Sequence, residues 1–371
     1  MTHDDRPIYV TRPDLPPLQE LLPSLEAIWQ NRNLTNCGPF HEQLEVALCE
    51  YLGVEHLSLV TNATVGLLLA LRAVKVCGEV ITTPFTFAAT SHGLVWSGLT
   101  PVFVDVEPGS LNIDPARIEA AITPQTCAIL AVHCYGFPCQ VEAIDAIAKR
   151  HGLKVIYDAA HAFGVRHEGQ SLLAHGDLSV LSFHATKVFN TFEGGAVVAR
   201  DAEMKAQIDL LKNFGISDEV TIDETGINGK MSEFNAALGL LQLKRVDEAI
   251  EQRCHIADTY LSALKSVRGI RCLARVDEPG ANYAYFPILI EDGFGCTRDE
   301  IHFRMKANHV NARRYFFPLV SSLPPYRRLA SAAPENLPVA TQAADRVLCL
   351  PIYPGLSPAD QTRVIEALLQ A

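Results

Sequence analysis

An α/β fold, with a large domain built on a mostly parallel, doubly wound sheet and a smaller α/β domain at the C-terminal end, is what this sequence predicts. Three observations predict it. Short β-branched runs alternate with helical patterns through the first half of the chain. Those runs are continuously apolar rather than alternating, as strands covered on both faces are. The length, 371 residues, suffices for a large core and more than one domain.

The elements follow in order. Leu57-Ser58-Leu59-Val60 reads as a strand that passes through Thr61-Asn62-Ala63-Thr64 into a helix from Val65 to Val74. Val80 to Thr83 reads as a strand, followed after Pro84 by a helix through about Trp96. Val102 to Val106 precedes a helix starting near Asp114, and Ala128 to Val132 precedes one from about Val141 to His151. Lys154 to Asp158 and Leu178 to Phe183 are two further strands. From Ser232 the period changes: Phe234, Ala237, Leu238, Leu241, Val246, Ile250, Ile256, Tyr260 and Leu264 recur at helical spacing. One or two long helices over about 232–267 are expected to bridge a large domain, residues 1–245, to a small one, residues 246–371. Ser232-Glu233 suits a helix start, with an acid near the positive end of the dipole. Beyond about residue 268, a strand over Tyr285 to Ile290 is mixed with helices and proline-rich loops.

Composition narrows the function classes. Hydrophobic residues make up 48% and charged residues 20%, an ordinary globular balance. The formal net charge is −11, with no long basic run, which argues against nucleic acid and against an anionic membrane surface as partners. An anionic ligand must then be held locally, by backbone amides at helix starts and a few placed arginines. Met1 to Pro17 is polar and proline-rich, without the apolar core of a secretion signal, and no apolar run is long enough to span a bilayer. The ten cysteines show neither C-x-x-C pairs nor zinc spacing. A cytoplasmic protein with reduced thiols and no metal is expected.

The chemistry concentrates in Ser182-Phe183-His184-Ala185-Thr186-Lys187-Val188-Phe189-Asn190-Thr191-Phe192-Glu193-Gly194-Gly195. An ammonium is no nucleophile; desolvation lowers its pKa and frees the lone pair for a Schiff base. A lysine so placed points to covalent carbonyl chemistry, and pyridoxal phosphate is the commonest carbonyl an enzyme supplies. The plainer reading is a solvated loop lysine. Other unusual residues stand where strands end. Asp158 can bond a pyridine nitrogen, or merely cap a helix. His161 can contact a cofactor's ring oxygen, or sit satisfied in the core. Asn62-Ala63-Thr64 offers free N–H groups and the Thr64 hydroxyl to a phosphate, to which Ser182 can add another hydroxyl; the plainer reading is an ordinary N-cap. In Pro84-Phe85-Thr86-Phe87, one ring can stack on a planar cofactor, Phe87 rather than Phe85, which suits the core better.

In this order, Asn-Ala-Thr, Pro-Phe-Thr-Phe, Asp-Ala-Ala-His, Ser-Phe-His-Ala-Thr-Lys with Glu-Gly-Gly, and Gly226-Ile227-Asn228-Gly229-Lys230-Met231-Ser232-Glu233, the chain resembles the DegT/DnrJ/EryC1/StrS sugar aminotransferases from about Asn36 onward. The resemblance implies fold type I and pyridoxal 5'-phosphate as cofactor. It implies Lys187 as the covalent attachment point and proton shuttle, and Asp158 as partner of the ring nitrogen. His161 would lie near the ring hydroxyl and Phe87 over the ring face, with Ala63, Thr64 and Ser182 at the phosphate. Asn228 would reach the phosphate of a neighbouring subunit, so a homodimer with shared sites is implied. Some family members that are dehydratases carry histidine in place of the lysine; the lysine here favours transamination.

In Ala312-Arg313-Arg314-Tyr315-Phe316-Phe317-Pro318-Leu319, Arg313, Arg314 and Tyr315 are candidates for a nucleotide diphosphate and base, though one arginine of the pair can equally face solvent. Val320 stands where many members have histidine. The lysine segment and the Ala-Arg-Arg-Tyr-Phe stretch are most similar to members that make dTDP-4-amino-4,6-dideoxyglucose. That likeness implies a dTDP-4-keto-6-deoxyhexose acceptor, glutamate as donor, and a place in amino-sugar biosynthesis such as lipopolysaccharide O-antigen. The alternatives are a 3-aminotransferase or UDP-keto-sugar aminotransferase of the same family, a lysine Schiff-base lyase without cofactor, and a non-catalytic sugar-nucleotide-binding regulator.

Overall fold

The computed structural model describes residues 6–273 and 280–370. The first five residues of the polar N-terminal segment, and residues 274–279 and 371 of the mixed C-terminal region, lie outside the described residues.

Seven strands form the main sheet: β1 (Leu57–Val60), β2 (Glu79–Thr82), β3 (Thr100–Phe103), β4 (Thr126–Val132), β5 (Lys154–Asp158), β6 (Leu178–Ser182) and β7 (Gly195–Ala199). Their order is β1-β7-β6-β5-β4-β2-β3. Only β7 runs antiparallel to its two neighbours. Helices α1 (Leu18–Asn31), α2 (Pro39–Leu52), α3 (Ala63–Ala73), α4 (Ala88–Trp96), α5 (Pro115–Ala121), α6 (Val141–His151), α7 (Ala202–Leu211) and α8 (Glu233–Leu243) surround it. One face of the sheet packs Leu44 and Leu48 of α2, Ile118 of α5, Ile144 of α6 and Ala236 of α8. The other packs Leu67 and Leu71 of α3, Leu94 of α4 and Leu211 of α7. The doubly wound, mostly parallel expectation therefore holds, and each fully buried leucine contributes about 1.5–3 kcal/mol by leaving water.

Differences from the sequence reading have physical causes. The strand expected at 102–106 lies at Thr100–Phe103. Val104 and Val106 are apolar because a loop buries them, which leaves the same signature as a strand. Pro101 is accommodated because β3 is the sheet edge. The helix after Pro84 begins only at Ala88. Ser232 does cap α8, its hydroxyl accepting from Asn235 N (3.3 Å). Glu233 serves another helix: its buried carboxylate accepts from Phe40 N (2.9 Å) and His41 N (2.8 Å) at the start of α2.

The stretch over about 232–267 forms two helices, α8 and α9 (Val246–Leu264). The C-terminal half adds an antiparallel sheet of β8 (Ile270–Cys272), β9 (Phe286–Ile290) and β10 (Val347–Leu350). It is accompanied by α10 (Arg298–Ala307), α11 (Pro338–Arg346) and α12 (Pro358–Leu369). Ile256 and Tyr260 of α9, Met305 of α10 and Val364 of α12 bury this sheet's apolar side. Ile8–Tyr9 pairs in parallel with Val310–Asn311, so the start of the chain lies with the C-terminal half. No helix among the described residues is long and apolar enough to cross a membrane.

Candidate active site

A cleft of about 600 Å³ opens beyond the carboxyl ends of β1, β4, β5 and β6, where open α/β sheets place ligands. Ala63, Thr64, Phe87, Asp158, His161, Ser182 and Lys187 all line it, although they come from four separate segments of the chain.

One end is made of backbone. Asn62 caps α3, its Oδ1 accepting from Val65 N (2.9 Å). As residues of the first turn, Ala63 and Thr64 carry N–H groups that helix geometry leaves without intrahelical acceptors, at the positive end of the dipole. The plain N-cap reading holds at Asn62, and it leaves the first-turn N–H groups compatible with the anion reading, at different atoms. β7 runs directly beside this helix start. A Cβ on Gly195 would lie 2.9 Å from Ala63 N and 2.7 Å from Leu181 O, so only glycine fits. The Ser182 hydroxyl stands at the end of β6 and accepts from His184 N (3.4 Å).

The other end is made of side chains, Asp158 and His161 buried and Lys187 half-buried. Asp158 closes β5; its Oδ2 accepts from Thr90 Oγ1 (2.8 Å) and its Oδ1 from Ala160 N (3.1 Å). Residues 159–164 form turns rather than a helix, so the aspartate is no helix cap. Burial pushes its carboxyl pKa up, while Thr90, Ala160 and Lys187 pull it down. His161 Nδ1 accepts from Tyr135 N (3.1 Å), which leaves Nε2 as the protonated nitrogen of the neutral ring. Burial, and secondly Lys187, hold its pKa well below the usual imidazole range. The Lys187 amine, lowered to about 8 by burial against the opposing pull of Asp158, is not the solvated loop amine of the plainer reading. Its Nζ lies 6.0 Å from the centroid of the Tyr285 ring.

Phe85 is fully buried in edge-on contact with Tyr135 and Phe316, whereas Phe87 is 63% exposed at the cleft wall. Several residues at or behind the cleft were not singled out from sequence. Thr86 and Thr90, four apart at the start of α4, share a 2.8 Å hydroxyl contact and orient Asp158. Tyr285 and Phe316 flank His161, with ring centroids 4.8 and 6.0 Å away. The four-residue spacing of the threonines was the available signal for the first pair. The aromatic wall, supplied by distant segments, had none.

The remaining candidates separate. Tyr315 lines the cleft, but Arg313 and Arg314 do not. Arg314 donates to Asp299 Oδ1 (2.8 Å) and lies over Phe317, while Arg313 is exposed. Asn228 is also outside the cleft, exposed on a bridge to Asn213.

The donor set fits pyridoxal phosphate. A desolvated carboxylate suits a ring N–H⁺, an imidazole N–H suits a ring oxygen, helix-start amides suit a phosphate, and a low-pKa amine suits an aldehyde. A model of the DegT/DnrJ/EryC1/StrS aminotransferase family matches residues 18–369. The chain is 52% identical over 367 residues to the dTDP-4-amino-4,6-dideoxy-D-glucose transaminase of Escherichia coli, covering 99% of each. In fold it is similar to DesI, solved in the presence of its TDP-sugar product, at a TM-score of 0.93 and 38% identity over 98% of this chain and 93% of that one. It is also similar to NtdA of Bacillus subtilis with bound cofactor PMP, at a TM-score of 0.87 and 28% identity over 95% and 81%.

Proposed function

The chain belongs to the DegT/DnrJ/EryC1/StrS aminotransferase family of pyridoxal-phosphate enzymes, and from that premise we propose that it moves an amino group from glutamate to dTDP-4-keto-6-deoxyglucose, giving dTDP-4-amino-4,6-dideoxyglucose. The near-full-length likeness to the Escherichia coli transaminase carries this choice of acceptor. The pairing of a low-pKa amine with a buried carboxylate in one cleft supports the chemistry.

When bound, the cofactor supplies an aldehyde for reversible imine formation and a ring that draws electron density from the carbon losing its proton. The Asp158 carboxylate holds a proton on the ring nitrogen, and Thr90 and the Ala160 amide keep that carboxylate aimed. His161 Nε2–H donates to the ring oxygen, fixed in that tautomer by the Tyr135 amide. The Ala63 and Thr64 amides, with the Thr64 and Ser182 hydroxyls, hold the phosphate, and Phe87 covers one ring face. Lys187 Nζ would be the nucleophile that holds the cofactor's aldehyde, and its neutral amine would serve as the general base and acid that moves a proton at Cα of the amino donor and at the ketone carbon of the sugar. Tyr315, which lines the cleft, meets the nucleotide, while the Arg314 guanidinium is held by Asp299. Asn228, exposed away from its own cleft, reaches the phosphate in a second copy, which makes the working unit a homodimer.

The test is product analysis by mass spectrometry, with glutamate as donor and a panel of dTDP- and UDP-keto-sugars. An amino sugar at carbon 4 of the dTDP substrate is expected. Amination at carbon 3, or of UDP-sugars only, would replace this acceptor with another.

A further inference from the structure

We propose that Glu193 reads a ring hydroxyl of the sugar acceptor, with His184 steadying its carboxylate; this rests on the sugar-nucleotide reading above. Glu193 lines the cleft that holds Lys187, yet its side chain remains 63% exposed. Its backbone is pinned. Glu193 N donates to Thr191 O (2.9 Å), and its carbonyl accepts from Thr191 Oγ1 (2.8 Å) and Asn235 Nδ2 (2.9 Å). The preceding residue, Phe192, is held at φ +63°, a left-handed conformation unfavourable for a bulky residue, and its ring stacks on Phe234. The following residue, Gly194, has no room for a side chain: a Cβ there would lie 2.1 Å from Thr191 Oγ1 and 2.7 Å from Met231 Cε. The fold thus tolerates strain and close packing on either side of a carboxylate presented to the cleft.

His184 completes the arrangement. Its Nδ1 accepts from Thr186 N (3.2 Å) and contacts Thr186 Oγ1 (2.8 Å), so the neutral ring carries its proton on Nε2, 3.6 Å from Glu193 Oε1. That contact leaves most of the acceptor capacity of the carboxylate available. A carboxylate repels the diphosphate, so its place is at the neutral sugar, where hydroxyls are the donors. A hydrogen bond to a charged group is worth about 1.5–3 kcal/mol, or roughly ten- to a hundredfold in affinity.

The test is calorimetric titration of the cofactor-loaded enzyme with dTDP-4-amino-4,6-dideoxyglucose and with its 2-deoxy and 3-deoxy analogues. Wild type is expected to bind one analogue about tenfold or more weakly than the parent. Glu193→Ala is expected to bind the parent about as weakly and to lose that discrimination. Glu193→Gln, which keeps the shape and an acceptor oxygen, is expected to recover part of it, and the cofactor absorbance band of both variants checks that the cleft is intact. Equal wild-type binding of all three ligands would overturn the proposal. So would undiminished discrimination in Glu193→Ala; in that case a weaker parent would place the carboxylate at the product ammonium instead. If wild type bound none of the three, the sugar-nucleotide reading itself would fall, and this inference with it.

Discussion

At the α3 end of the cleft the chain presents backbone; at the β5 end it presents side chains held wholly or partly out of water. The N–H groups of Ala63 and Thr64 keep their partial charge whatever residues carry them. Asp158, His161 and Lys187 depend on burial, which moves each pKa toward its neutral form and makes each answerable to its neighbours. Substitutions at the side-chain end should therefore change chemistry, and substitutions at the backbone end should change affinity and stability.

The largest separation is expected from Lys187→Ala. Turnover should fall by about 10⁴-fold, the upper range for a positioned proton-transfer group, with the melting temperature retained. A stable variant with wild-type turnover would erase the distinction between the two ends. Asp158→Asn comes next: it should cost about 10²–10³ in kcat, as the loss of a group placed at developing charge does. This variant also has a pH signature. The neutral amine is the nucleophile, so cofactor capture by the apo-protein should speed up as pH rises through about 8. Because Asp158 raises the Lys187 pKa, its removal should move that limb to lower pH, read as the rate of growth of the cofactor band.

At the backbone end the effects should be smaller and of another kind. Gly195→Ala drives a methyl group against Ala63 N and Leu181 O, and should destabilise the fold by about 1–3 kcal/mol in urea titration while weakening cofactor retention. Thr64→Val removes one hydroxyl from the phosphate cradle. Cofactor binding should weaken by about three- to tenfold with kcat nearly unchanged, read by spectroscopic titration. A large kcat loss in Thr64→Val would mean that the two ends are not separable.

The same contrast explains what was legible in the sequence. Strands buried on both faces announce themselves, and Lys154–Asp158 and the helix Val141–His151 were placed at their observed bounds. Val104 and Val106 misled because a buried loop is as apolar as a strand. The order of motifs brought seven cleft residues together because each sits where a strand ends. Nothing local shows that Asp299 holds the Arg314 guanidinium, so the sequence cannot say which arginine of the pair is engaged within the chain. The role of Glu233 was assigned to its own helix because a capping partner 193 residues away leaves no periodic trace. Residues that act through another residue, such as Thr90 and Tyr135, become visible only when the fold closes.

The account turns on the Lys187 amine as the atom that carries the cofactor. Borohydride reduction of the loaded enzyme, digestion and mass mapping tests this most directly. A pyridoxyl group on the peptide bearing Lys187 is the predicted result; a reduced adduct on another lysine, or none, would contradict it.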